Sequence, residues 1–95
     1  MIRIIISAQA EIDLDSIAAY IAQDNPVRAV TFIHEVRAKF LDIAERPKSF
    51  AERPHWRKDK RSAIVGRYHI IFEIKSNHVE IVRVLHGARN IPDIL

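Results

Sequence analysis

Residues 65–75 read Val65-Gly66-Arg67-Tyr68-His69-Ile70-Ile71-Phe72-Glu73-Ile74-Lys75. From Tyr68 onward the side chains sort by twos. Tyr68, Ile70, Phe72 and Ile74 share one face, and His69, Ile71, Glu73 and Lys75 the other. A period of two marks a strand with one buried side. Gly66-Arg67 ahead of it reads as a two-residue hairpin turn, because glycine supplies the positive φ that such turns need. Arg61–Val65 is then the preceding strand. Downstream, Ser76-Asn77 makes a second turn and Val79–Leu85 a last strand, bounded by Gly87. The stretch predicts a three-stranded antiparallel meander with one face to be covered.

The cover lies upstream. In Ala8–Gln23, Ala10, Leu14, Ile17, Ala18 and Ile21 recur at helical spacing, with Ser7 placed to cap and Glu11, Asp13 and Asp15 early, where the helix dipole favours acids. Ile12 and Tyr20 fall on a second, flanking stripe, which is either more core or a partner surface. Asp24-Asn25-Pro26 ends this helix and starts another, since Asn25 suits the cap and Pro26 the first helical position. Over Val27–Arg46 the apolar face is Ala29, Phe32, Ile33, Val36, Phe40, Ile43 and Ala44, and Pro47 stops the helix. The short connection makes an antiparallel helical hairpin. Before it, Met1–Ile6 is rich in β-branched residues and reads as a first strand. The expected fold is therefore α+β: an N-terminal strand, an antiparallel helical hairpin, then the meander, giving a four-stranded sheet in a single domain spanning 1–95.

Composition narrows the class. With 95 residues, 48% of them apolar, the chain is a small globular domain. No apolar run is long enough to cross a bilayer or to form a signal-peptide core. The absence of cysteine excludes disulfides and thiolate metal sites and fits a cytoplasmic location. The net charge of +3 is unevenly spread: residues 1–46 hold five Lys/Arg against seven Asp/Glu, and residues 47–95 hold ten against five. A basic second half suits a polyanion, an acidic protein partner, or simply a solvated face.

Few residues announce chemistry. Lys48–Lys60 is the one long irregular stretch, with Arg53, Arg57, Lys58 and Lys60 around Trp56. It either stacks on a base or contacts phosphates, or it caps the edge of the core with the tryptophan buried and the charges in water. Arg83 falls mid-strand, and by alternation it shares a face with Val79, Ile81 and Leu85. A charge there needs either a partner, with Glu73 or Glu80 as candidates, or a function. His86, beside Gly87, is a candidate acid or base, or a loop histidine with a local hydrogen bond. The five histidines have no metal-ligand spacing, and Gly66 and Gly87 form no phosphate loop. No metal or other cofactor is expected.

The residues also carry a resemblance. Ser7-Ala8-Gln9-Ala10-Glu11 with Asp13-Leu14, Ile17, Tyr20-Ile21 and Asn25-Pro26 is similar to the opening of ParE-type toxins of the RelE/ParE superfamily. Val65-Gly66-Arg67-Tyr68, Ile71-Phe72 and the run from Val79 to Arg89 resemble their second half, so that the likeness covers residues 2–92. It implies the toxin of a bacterial type II toxin–antitoxin pair, cytoplasmic, neutralised by a ParD-like antitoxin and inhibiting DNA gyrase. No sequence-specific DNA binding by the toxin alone is implied, and no membrane partner. The same fold in its RelE branch cleaves messenger RNA on the ribosome, which is the alternative. By family position Arg61 and Arg83 lie where those nucleases contact phosphate. The tail Asn90–Leu95 supplies neither the tyrosine nor the lysine of their acid/base sets. The expectation is thus an inhibitory binding protein with no catalytic residue. Its target surface would comprise Arg61, Arg67, Arg83, His86 and Arg89, and its antitoxin surface Ile12, Tyr20, Val30 and Leu41. A third reading is a member without toxicity that only binds its antitoxin.

Overall fold

The computed structural model describes residues 2–95. It contains β1 (Arg3–Ile6), α1 (Ala8–Ala22), α2 (Pro26–Glu45), a 3₁₀ turn at Pro47–Ser49, β2 (Ala51–Glu52), β3 (Arg61–Val65), β4 (Tyr68–Ile74), β5 (His78–His86) and α3 (Ile91–Ile94). The α+β order read from the sequence is the order found. Met1, placed in the first strand by sequence, lies outside the described residues.

Both helix starts form as their caps predict. The Ser7 hydroxyl accepts from the Ala10 N–H at 3.0 Å, and the Asn25 side chain accepts from the Arg28 N–H at 3.0 Å, with Pro26 at the first helical turn. Val65 pairs with Tyr68 across Gly66-Arg67. Gly66 has φ 58° while Arg67 stays at negative φ, the pattern of a type II′ turn. The Gly66 position has room for a side chain, with Phe32 3.7 Å from where a Cβ would stand, so it is backbone conformation that demands glycine there.

The sheet has five strands rather than four, in the order β1-β5-β4-β3-β2. β1 runs parallel to β5, with Ile6 opposite Ile81, and the other pairs are antiparallel. The extra strand, β2, comes from the stretch expected to be irregular. Its two residues pair with Ser62 and Arg61 at the far edge.

A second departure has larger consequences. Ile71 lies opposite Arg83, but Phe72 lies opposite Ile81, so Val82 is an extra residue, a β-bulge in β5. The bulge shifts the alternation. Val79, Ile81 and Val84 face the helices with Ile70 and Phe72, whereas Leu85 joins Ile71 on the other side. The expected sharing of one face by Arg83, Val79, Ile81 and Leu85 therefore does not hold. Strict alternation fails at an inserted residue.

The main core lies between the sheet and the hairpin. Leu14 and Ile17 of α1 and Phe32, Val36, Phe40 and Ile43 of α2 pack on Ile70, Phe72, Val79, Ile81 and Val84. A smaller cluster covers the opposite face: Ile71, Leu85 and Ile91, flanked by Trp56, Ile94 and Leu95. Burial of each large aliphatic side chain contributes roughly 1.5–3 kcal/mol. The smaller cluster explains why Ile71, on the expected outward face of β4, is fully buried. It is the tail and the Trp56 loop, not a second helical layer, that close that side.

Candidate functional site

The candidate site residues are divided among three places. The largest is a groove of about 830 Å³ between the outer flank of α1 and the end of the sheet where the β3–β4 turn meets the end of β5. Ile12, Ile17 and Tyr20 line one side, and Arg67, Tyr68, His86 and Arg89 the other, with Phe32 between. Ile12 is 54% exposed and Tyr20 68%, so both keep most of their apolar surface in water. The flanking stripe of α1 is thus surface, not core.

On the sheet side the geometry is fixed by short contacts. The Tyr68 ring lies 5.3 Å from Phe32 and edge-on to His86 at 5.1 Å, between core and groove. His86 Nδ1 accepts from the Ala88 N–H at 3.0 Å, which leaves the proton of a neutral ring on Nε2. The Gly87 N–H donates to the Arg67 carbonyl at 2.8 Å and ties the two rims of the turn region together. Among the described residues neither Arg67 nor Arg89 has a carboxylate within salt-bridge distance. Three of the five residues expected on the target surface therefore converge here, together with two of the four expected on the antitoxin surface.

Arg61 is elsewhere. It lines a separate cleft of about 560 Å³ with Lys48, Lys58, Lys60 and Lys75. Its guanidinium donates to the Phe50 carbonyl at 2.9 Å and pairs with Glu52 at 3.2 Å. In that cleft Glu73 is held between Lys60 at 2.8 Å and Lys75 at 2.7 Å. Burial pushes its carboxyl up, but the hydrogen bonds from the two ammonium groups outweigh it and hold Glu73 below the usual carboxylate range.

Arg83 belongs to neither place. Its side chain is largely buried, and its Nε and Nη2 donate to the two Asp13 oxygens at 2.8 and 2.9 Å. The expected partners Glu73 and Glu80 are not the ones used. Glu73 is taken by Lys60 and Lys75, and Arg83, next to the bulged Val82, pairs with Asp13 of α1 beyond the stretch where β1 pairs with β5. There Asp13 also accepts from the Val84 N–H at 3.0 Å, and the Ser7 hydroxyl donates to the Val82 carbonyl at 2.8 Å. Asp13 therefore receives a bidentate fork plus a backbone donor, an arrangement that offsets the cost of burying both charges.

Val30 and Leu41 stand on the outer side of α2, 59% and 58% exposed. Val30 lies in a shallow apolar channel of the hairpin with Ala18, Ala22 and Ile33. Val27, 74% exposed, extends the same stripe and was missed by sequence reading, although Val27, Val30, His34 and Leu41 fall at helical spacing. Trp56 is a structural residue here. Its ring lies 5.2 Å from the Arg53 guanidinium and edge-on to His69 at 5.1 Å, and it packs on the smaller core. Ser62 completes that cluster, accepting from Arg53 Nε at 3.0 Å and lying 3.3 Å from His69 Nδ1. Burial, and then the nearby Arg53 charge, push His69 below the ordinary histidine range. Among the described residues no three His, Asp or Glu side chains gather as a metal site, and no helix is long and apolar enough to cross a membrane.

Comparison with known proteins gives a consistent result. Residues 4–91 match the family described as ParE toxin of type II toxin–antitoxin system, parDE. No curated protein matches by sequence. Among solved structures, a chain of the chromosomal ParDE toxin–antitoxin system from P. aeruginosa superposes with a TM-score of 0.80 at 18% identity, over 90% of this chain and 96% of that one. A chain of the toxin–antitoxin complex RelBE2 from Mycobacterium tuberculosis superposes with a TM-score of 0.61 at 21% identity, with the same coverage. At these identities the structural likeness speaks to fold, and the family match to membership.

Proposed function

The chain belongs to the ParE toxins of type II toxin–antitoxin systems, and from that premise we propose that it acts by binding, inhibiting DNA gyrase in the cytoplasm until a ParD-like antitoxin neutralises it. One observation carries this reading: the groove that gathers Arg67, His86 and Arg89 with the exposed Ile12 and Tyr20. It is a recognition surface with uncommitted cations and uncovered apolar side chains, the usual marks of a protein contact site. Both solved relatives come from systems or complexes named for a toxin with its antitoxin, which supports an antitoxin partner here.

The endonuclease reading needs Arg61, Arg83 and His86 around one phosphate. Arg61 and His86 line different clefts, and Arg83 is occupied by Asp13. That separation favours binding over catalysis. The deciding experiment adds purified protein to a gyrase supercoiling assay and, in parallel, to translating ribosomes. Loss of supercoiling with intact message is the expected result. Message cleavage with gyrase unaffected overturns the proposal in favour of the nuclease. Inactivity in both assays, with harmless expression, leaves a member that only binds antitoxin.

A further inference from the structure

We propose that the outer face of α2 is a self-association surface, on which two copies of this chain pair antiparallel about a two-fold axis through His34. This pairing is independent of the toxin reading above, and none of the apolar residues it uses lines the groove of the candidate site.

One side of α2 places Phe32, Val36, Phe40 and Ile43 in the core. The opposite side of such a helix ordinarily meets water with polar residues. Here it carries Val27, Val30, His34, Ala38 and Leu41, all exposed. At 3.6 residues per turn these five lie within about 40° of the His34 direction, in a stripe about 21 Å long. Val27, Val30 and Leu41 each keep more than half of their surface in water. The stripe is a contact surface that its own chain leaves uncovered.

The stripe reads the same from both ends. Val27 and Leu41 stand seven residues either side of His34, and Val30 and Ala38 stand four. An antiparallel copy across a two-fold axis at His34 sets Val27 against Leu41, Val30 against Ala38, and His34 against its own counterpart. Shape follows the same symmetry. Beside the first half of the stripe runs a shallow apolar channel of about 470 Å³, walled by Ala18, Ala22, Pro26 and Val30. In the second half Leu41 stands out from the helix. The two-fold brings Leu41 of each copy over the channel of the other. A knob and a hollow exchanged by one rotation are what an isologous dimer requires, and an unrelated partner gives no reason for them to be so placed.

Charge permits the approach. The ionic residues bordering the stripe are paired within their own chain, Arg28 with Glu35, Arg37 with Glu11 and Asp42 with Lys39. Glu45 lies one turn beyond Leu41, at the rim. Two helices in contact over this length bury on the order of 1,000 Å² in total, the lower bound for a specific interface, so the dimer is weak and concentration-dependent.

The test uses the whole chain, which has no cysteine of its own. His34→Cys puts one thiol on the axis and is expected to cross-link to a dimer under mild oxidation. Val27→Cys and Leu41→Cys are each expected to stay uncross-linked alone, because like residues of the two copies lie about 21 Å apart. Mixed together, these two variants are expected to cross-link to each other. In sedimentation equilibrium the native chain is expected to dimerise as concentration rises. Leu41→Glu, which enters each dimer twice, is expected to weaken it by at least about tenfold with the melting curve unchanged. A native chain that stays monomeric at every concentration overturns the proposal, as does Val27→Cys cross-linking to itself as readily as to Leu41→Cys. If the chain alone is monomeric and Leu41→Glu lowers affinity for an antitoxin, the face belongs to that partner and the proposal fails.

Discussion

Arg83 and Asp13 stand 70 residues apart in the chain and meet as a two-pronged ion pair, with the Val84 N–H as a third donor to the same carboxylate. The pair ties the first helix to the last strand. Its two halves are not equivalent. Asp13→Ala leaves a largely buried guanidinium and a backbone N–H without acceptors, whereas Arg83→Ala leaves a carboxylate still bonded to Val84. Loss of one partner of a buried pair costs about 3–5 kcal/mol. Urea denaturation should place Asp13→Ala at that cost and Arg83→Ala clearly below it. Equal midpoints for the two variants would refute this asymmetry.

Two helix caps of the same kind should differ in worth. Asn25 caps α2 on an exposed site, and Asn25→Ala should cost about 1 kcal/mol. Ser7 caps α1 and also donates to the Val82 carbonyl. Ser7→Ala loses both bonds and should cost about 2 kcal/mol. In thermal melts of a domain this size, the difference of about 1 kcal/mol appears as roughly 4–8 °C. A Ser7→Ala melt no lower than that of Asn25→Ala would show that the Val82 bond contributes nothing.

Stability should fall on mild acidification, and His69 should be one cause. Burial, then the Arg53 charge, lower its pKa in the folded chain. The unfolded chain therefore takes up the proton first as pH falls. The stabilisation is complete above the unfolded value of about 6.5 and is lost as pH descends through the folded value. Glu73, also lowered, gives a second loss that begins below the unfolded carboxylate value of about 4.3. Urea midpoints at pH 7.5 and 5.5 read the first window. His69→Gln should shrink the difference between them, and an unchanged difference would remove His69 as the cause.

The proposed partner surface on the helices is open to direct test. Ile12→Glu combined with Tyr20→Glu should weaken antitoxin binding by more than about 30-fold, the size of a contact hot spot. Both side chains are more than half exposed, so the melting curve should hardly move. Undiminished affinity would place the antitoxin elsewhere, with the α2 stripe at Val27, Val30 and Leu41 the next surface to change.

Much of this was legible in the chain because it is local. The period-two run from Tyr68 to Ile74, the caps at Ser7 and Asn25 and the glycine turn at Gly66 are each decided within a few residues. What escaped depends on distant partners. Two residues, Ala51 and Glu52, make a strand only because Ser62 and Arg61 lie alongside. The bulge at Val82 leaves no mark in an apolar run, where one β-branched residue reads like the next. For the same reason Arg83 was paired with the carboxylates nearest on the sheet, Glu73 and Glu80, rather than with one on a helix 70 residues away. For the candidate site, the sequence shows residue types but not how they are grouped in space. Arg67, His86 and Arg89 do share a groove, while Arg61 and Arg83 lie outside it.

The parallel pairing of β1 with β5 also bears on the order of events at the ribosome. Arg3–Ile6 is made before the other elements of this fold, yet its hydrogen-bonding partner is His78–Ile81. Chains grow at about 5–20 residues per second, so the first strand waits several seconds for its neighbour. The edge clamp at Ser7 and Asp13 waits with it, since both grip residues 82–84. The helical hairpin can form early, but the groove has no second wall until β5 has emerged. A nascent chain of this protein therefore presents half a groove, and any partner that needs both walls must wait for β5.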